Sequence, residues 1–113
     1  NENKDVQIAL TSYQSGRLDG VVENCYLAVE GLSRKILNNS KTLLNNKGEL
    51  LQLLGFSKYW GNMLSALIDY ANEFRRHAGD DRHNLKPSEV EAFLYLSCLF
   101  IRAIVRSQHE NKK

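Results

Sequence analysis

Residues 92–105 read AFLYLSCLFIRAIV, an apolar stretch that carries two apolar stripes when it is placed on a helix. One stripe contains Val90, Leu94, Ile101 and Val105, and the other contains Phe93, Leu96, Phe100 and Ile104. The stretch is shorter than the roughly 20 residues of a membrane span, and Arg102 interrupts it. It therefore predicts either the central helix of a bundle or a helix that packs on its own domain with one face and on a partner with the other.

Apolar residues at helical spacing predict four further helices upstream of this stretch. They cover about 4–14, about 19–37, 49–54, and a segment that starts near Tyr59 or after Gly61 and stops at Gly79. Residues 38–48 are predicted to be a polar linker that only Leu43-Leu44 interrupts. Alternating apolar runs are missing, so no strand is expected and the fold class is all-α.

Length and composition describe a single domain over residues 1–113 that ends in a polar tail, 107–113. The formal charge of +2 argues against nucleic-acid binding over the whole surface but leaves room for a local basic patch. Cys25 and Cys98 lie in apolar runs and are expected to be reduced, buried thiols. Because no secretory signal is visible, we expect a cytoplasmic domain, excised from or C-terminal in a longer protein, with no membrane contact.

Residues 74–83, FRRHAGDDRH, form the most informative polar segment, set just before the last helix. Two interpretations remain open. Cations in a last helical turn followed by Gly-Asp-Asp are typical of helix capping and a turn. Alternatively, His83 can move a proton near neutral pH while Arg76 holds a phosphate, which is the chemistry that metal-independent RNA cleavage requires.

The arrangement of Arg76, His77 and His83, between two helices and before an apolar terminal helix, resembles the R-polar-x(3–5)-H signature of HEPN domains. Residues 15–37, SGRLDGVVENCYLAVEGLSRKIL, are also similar to the first helical hairpin of HEPN domains, specifically of abortive-infection-type C-terminal domains. The resemblance covers about residues 6–106.

This resemblance implies a four- to five-helix up-down bundle. Many HEPN proteins are metal-independent endoribonucleases of phage defence or toxin–antitoxin systems, and they usually act as homodimers whose two Arg/His motifs face each other. The expected catalytic residues are Arg76, His83 and His77, and Arg75, Arg82 and Lys86 are expected to contact RNA phosphates. RNA is then the substrate, an antitoxin or other domains of a longer parent protein are further partners, and neither a cofactor nor a metal is expected.

Other interpretations of the same residues stay open. The domain could be a non-catalytic dimerisation or protein-interaction module, or it could bind a nucleotide at the basic loop. Arg102 and His109 also match the Arg/His spacing, but they lie along one helix end and a polar tail. His77, His83 and His109 lack the regular ligand spacing of a zinc site.

Overall fold

The computed structural model describes residues 7, 8, 10, 11, 14, 17–76 and 85–111. These residues contain no strand, which confirms the all-α class for the described part of the chain. Its four continuous helices are α1 (Leu18–Leu37), α2 (Leu43–Leu54), α3 (Lys58–Arg76) and α4 (Pro87–Asn111). The predicted helix at 4–14 falls largely outside the described residues, although residues 7, 8, 10, 11 and 14 are helical.

The core lies mainly between α1 and α4, which make the most extensive contact of any two helices. Val22 and Val29 of α1 and Phe100 and Ile104 of α4 are all at most 1% exposed. α3 completes the core with Leu64, and α2 packs between α1 and α3. Burial of these apolar side chains is the main favourable contribution to folding.

Both apolar stripes of α4 pack within this one chain. Five of their residues are buried and three are half-buried against the same core: Val90, Phe93, Leu94, Phe100 and Ile104, then Leu96, Ile101 and Val105. Of the two alternatives for this helix, the central position therefore accounts for both stripes. Two large apolar side chains of α4, Tyr95 and Leu99, remain more than half exposed.

The predicted linker 38–48 is wrong in its second half, because α2 begins at Leu43 and not at Glu49. Thr42 caps the helix, its hydroxyl accepting a hydrogen bond from the Asn45 amide at 3.3 Å. Leu43 is fully buried, and Asn46 is buried too, its amide paired with that of Asn39 by two hydrogen bonds of 2.9 and 3.0 Å. Asn39 and Asn46 thus pair inside the fold, whereas Ser40, Lys41 and Asn45 stay exposed.

The carboxylate of Glu30 ties α1 to the start of α2. Its Oε2 accepts hydrogen bonds from the Tyr26 hydroxyl at 3.0 Å and from the Leu43 amide at 3.1 Å. Its Oε1 lies 3.3 Å from Nη2 of Arg34, whose Nε donates to the carbonyl of Lys41 at 2.8 Å. Glu30 is only 7% exposed, so its charge is buried but fully hydrogen-bonded.

The turn between α2 and α3 is held by an aromatic cluster. Gly55 ends α2, as predicted, with a φ of 68° that an L side chain rarely adopts. Phe56 and Trp60 then pack on Phe100 of α4 with ring centroids 6.3 and 6.2 Å away. This cluster holds the C-terminal end of α2 against the middle of α4.

We expect Glu30→Ala to lower the free energy of unfolding by about 3 kcal/mol, because it leaves the Tyr26 hydroxyl and the Leu43 amide without their acceptor inside the core. Urea denaturation followed by circular dichroism measures the change. Glu49→Ala is the matched control: Glu49 is exposed and lies 3.8 Å from Lys41, so its loss should cost less than about 0.5 kcal/mol. Equal effects of the two substitutions would contradict the role given to Glu30.

Candidate functional site

The segment that connects α3 to α4 carries the candidate Arg/His motif. α3 ends at Arg76, and α4 begins at Pro87, the residue predicted for its first position. Arg76 is therefore the last residue of its helix. His77, Arg82 and His83 lie outside the described residues, as do the side chains of Arg75 and Arg76, so their mutual geometry stays a prediction.

Lys86 is the one predicted phosphate-contacting residue whose side chain the structure describes. Its carbonyl accepts hydrogen bonds from the amides of Glu89 and Val90, both at 3.0 Å, so it occupies the N-terminal boundary of α4. Its ammonium lies 3.9 Å from Oε2 of Glu89, and the side chain is 72% exposed. A loose surface pair of this kind leaves the cation accessible to an anionic ligand.

A groove of about 260 Å³ lies between α3 and α4, the two helices that this connection joins. Its lining is almost wholly apolar apart from Tyr70 and Glu89; the remaining residues are Ala66, Leu67, Ala92, Phe93 and Leu96. The Tyr70 hydroxyl is buried there without a hydrogen-bond partner. Burial, and secondarily the charge of Glu89, raise the pKa of Tyr70 above its usual value of 10, so it stays a neutral hydrogen-bond donor.

The sequence does not predict this groove. Tyr70 had the helical spacing of a core aromatic, and it does pack on Phe74 and Phe93, with ring centroids 4.7 and 5.3 Å away. The indication of this groove in the sequence is a pair of small residues, Ala66 and Ala92. They leave space between α3 and α4, which make little contact with each other.

A second groove, of about 470 Å³, lies between the C-terminal end of α2 and the C-terminal half of α4. Its floor is apolar and includes Leu53, Phe56 and Leu99, whereas Arg102 and Arg106 are exposed on its α4 side. Arg102 and His109, the alternative Arg/His pair, both lie on α4 itself. This pair therefore does not bracket an inter-helix loop.

The two cysteines are free, and neither is suited to act as a nucleophile. Cys25 is buried, as predicted, and Cys98 is half-buried. Burial, with a smaller contribution from Cys98, raises the pKa of Cys25 to about 12, although a hydrogen bond with Ser97 works in the opposite direction. Burial also raises the pKa of Cys98. Because the thiolate is the reactive form, both groups stay unreactive near neutral pH.

Two kinds of site are not found among residues 7–14, 17–76 and 85–111 where these are described. They contain no group of three His, Cys, Asp or Glu side chains that could hold a metal ion. Within the same part of the chain, no helix has the length and apolar character to cross a membrane.

Comparison of the chain with protein-family models, with curated proteins and with solved structures gives no significant match.

We expect both cysteines of the folded protein to react slowly with a thiol-specific disulfide reagent at pH 8, because each thiol stays protonated and Cys25 is only 1% exposed. Addition of a denaturant should release two thiols that react at the rate of a free cysteine. Rapid reaction of Cys98 in the folded state would contradict its raised pKa.

Proposed function

We propose that this domain is a HEPN-type, metal-independent endoribonuclease that acts as a homodimer. The supporting observation is the position of Arg76 at the last residue of α3, with ten residues between it and Pro87, the first residue of the central helix α4. In HEPN domains the Arg/His signature lies between two helices. This position distinguishes Arg76 and His83 from Arg102 and His109, which both lie on α4. The HEPN resemblance of residues 15–37 is the second support.

The proposed reaction is transfer of the RNA phosphodiester to its own 2′-hydroxyl. His83 accepts the proton of the 2′-hydroxyl, whose oxygen attacks the adjacent phosphorus as the bond to the 5′-oxygen breaks. The 5′-oxygen takes a proton from water, and His83 returns its proton to the solvent. Arg76 binds the phosphate and stabilises its additional negative charge in the transition state, and His77 orients it. The products are a 2′,3′-cyclic phosphate and a 5′-hydroxyl, and the reaction needs neither metal nor cofactor.

Three further cations extend the proposed phosphate-binding surface. Arg75 lies beside Arg76 at the end of α3, Arg82 belongs to the connection, and Lys86 is exposed at the start of α4. Charge-assisted contacts to successive phosphates bind RNA with little sequence preference. The setting we propose is that of the proteins this chain resembles: phage defence by abortive infection, or a toxin–antitoxin system in which an antitoxin restrains the activity.

The purified protein should cleave single-stranded RNA in excess chelator, and His83→Ala and Arg76→Ala should each lower the rate by at least about 100-fold, since each removes a group that acts on the transition state. Gel analysis of an end-labelled oligonucleotide measures the rate and identifies a cyclic phosphate terminus. A substrate with a 2′-deoxy sugar at the cleaved position should resist cleavage.

His109→Ala is the control for this experiment. His109 belongs to the alternative Arg/His pair and is exposed on α4, so its loss should leave the rate within about twofold of the wild type. Equal activity of the wild type and His83→Ala, or a requirement for a divalent metal, would refute the proposed mechanism.

The second candidate is a non-catalytic dimerisation or protein-interaction module, and the exposed apolar residues of α4 favour it. Tyr95 is 63% exposed and Leu99 is 54% exposed, although α4 is otherwise the central helix of the core. Soluble monomers expose such residues singly, whereas neighbours on one helix face are typical of an interaction surface. A stable dimer without ribonuclease activity would support this candidate over the first.

A further inference from the structure

One stripe of α4 remains accessible after the helix has packed into the core, and its order of residues is symmetric. The stripe consists of Glu89, Ala92, Leu96, Leu99, Ala103 and Arg106. The steps between them are 3, 4, 3, 4 and 3, the spacing of an antiparallel or parallel two-helix seam. Read from either end, the apolar residues follow the same order, Ala-Leu-Leu-Ala, between two opposite charges.

The structure leaves most of this stripe accessible. Glu89, Ala92, Leu99 and Arg106 are exposed, and Leu96 and Ala103 are half-buried. The first half of the stripe lines the groove between α3 and α4, and the second half lines the groove between α2 and α4. Each half therefore keeps two exposed residues among the described part of the chain, Glu89 and Ala92 in the first and Leu99 and Arg106 in the second.

We propose that the stripe binds the same stripe of a second copy of this chain, with the two α4 helices antiparallel and the two-fold axis between residues 97 and 98. In this register Leu96 packs on Leu99 of the other copy, and Ala92 packs on the other Ala103. The alanines allow close approach at both ends of the apolar stretch. The first groove of each copy thereby faces the second groove of the other.

Charge complementarity favours this occupant over an unrelated partner. The antiparallel register places Glu89 of each copy beside Arg106 of the other, so two ion pairs flank the apolar centre. The internal pair of Glu89 with Lys86 is loose, at 3.9 Å, and does not prevent this contact. A parallel arrangement would instead align equal charges. An isologous interface requires a self-complementary surface of this kind.

Apolar side chains beside the stripe extend the contact. Tyr95 on α4 is 63% exposed, and Leu53, which lines the groove between α2 and α4, is 41% exposed. A stripe of 18 residues is about 26 Å long. Together with these flanking side chains it offers a contact with an apolar centre and a charged rim, as is usual for protein interfaces.

This dimer does not depend on the proposed ribonuclease activity. The two α4 N-termini would lie about 30 Å apart along the helix axes, so the two copies of Pro87 lie at opposite ends of the interface. The arrangement is therefore an alternative to the facing-motif homodimer that the HEPN resemblance implies.

Charge exchange in the full 113-residue chain tests the register. Sedimentation velocity over a concentration series should show a dimer for the wild type. Glu89→Arg alone and Arg106→Glu alone should each weaken dimerisation at least tenfold, because each places equal charges opposite one another. The double variant with both substitutions should restore wild-type dimerisation.

Two further variants complete the test. Leu99→Glu places a charge near the axis and should give a monomer, and circular dichroism should show that it keeps the wild-type fold. Asp19→Arg, exposed on α1 and in the lining of neither groove, should leave dimerisation within about twofold of the wild type. A monomeric wild type, or a dimer unaffected by Leu99→Glu and by the single charge reversals, would overturn the proposal. This readout is association alone, so it stands or falls separately from RNA cleavage.

Discussion

The packing of α4 against α1 is the constraint on which the rest of this chain depends. α4 buries two apolar stripes, and only a position in the middle of the bundle covers both. The connection from α3 therefore ends beside the core, because Pro87 is the first residue of α4. It also determines which part of α4 stays accessible. The candidate catalytic segment and the accessible stripe are therefore both consequences of one helix being central.

Local periodicity predicts the elements whose residues alternate regularly between core and solvent. The end of α1 before Asn38, the stop at Gly55 and the start at Pro87 follow from spacing and from residues that suit helix ends. The start of α2 does not, because it depends on partners far along the chain. Leu43 is helical and buried where the carboxylate of Glu30 receives its amide, and Asn46 is buried because Asn39 pairs with it. The apolar periodicity of a short stretch of sequence does not reveal hydrogen bonds between residues of different elements.

The candidate site likewise has features that the sequence predicts and features that it does not. The sequence predicts that Arg76 lies in the last turn of a helix that stops at Gly79; α3 runs to Arg76, and Gly79 lies outside the described residues. The sequence does not predict the groove beside Tyr70, because helical spacing alone makes that residue look like a core aromatic. Nor does it decide whether the two stripes of α4 require a partner. The structure places both stripes against the core and leaves accessible most of a third, which shares the half-buried Leu96 with the second.

In the proposed dimer α4 is both the central helix of each chain and the helix at the interface between the two copies. Distances between spin labels in the dimer measure this arrangement, with cysteines introduced singly into a Cys25→Ala, Cys98→Ala background. We expect a separation under about 20 Å for labels at residue 95 and over about 30 Å for labels at residue 109, from the rise of an antiparallel helix pair. Long separations at residue 95 with short ones at residue 88 would contradict it.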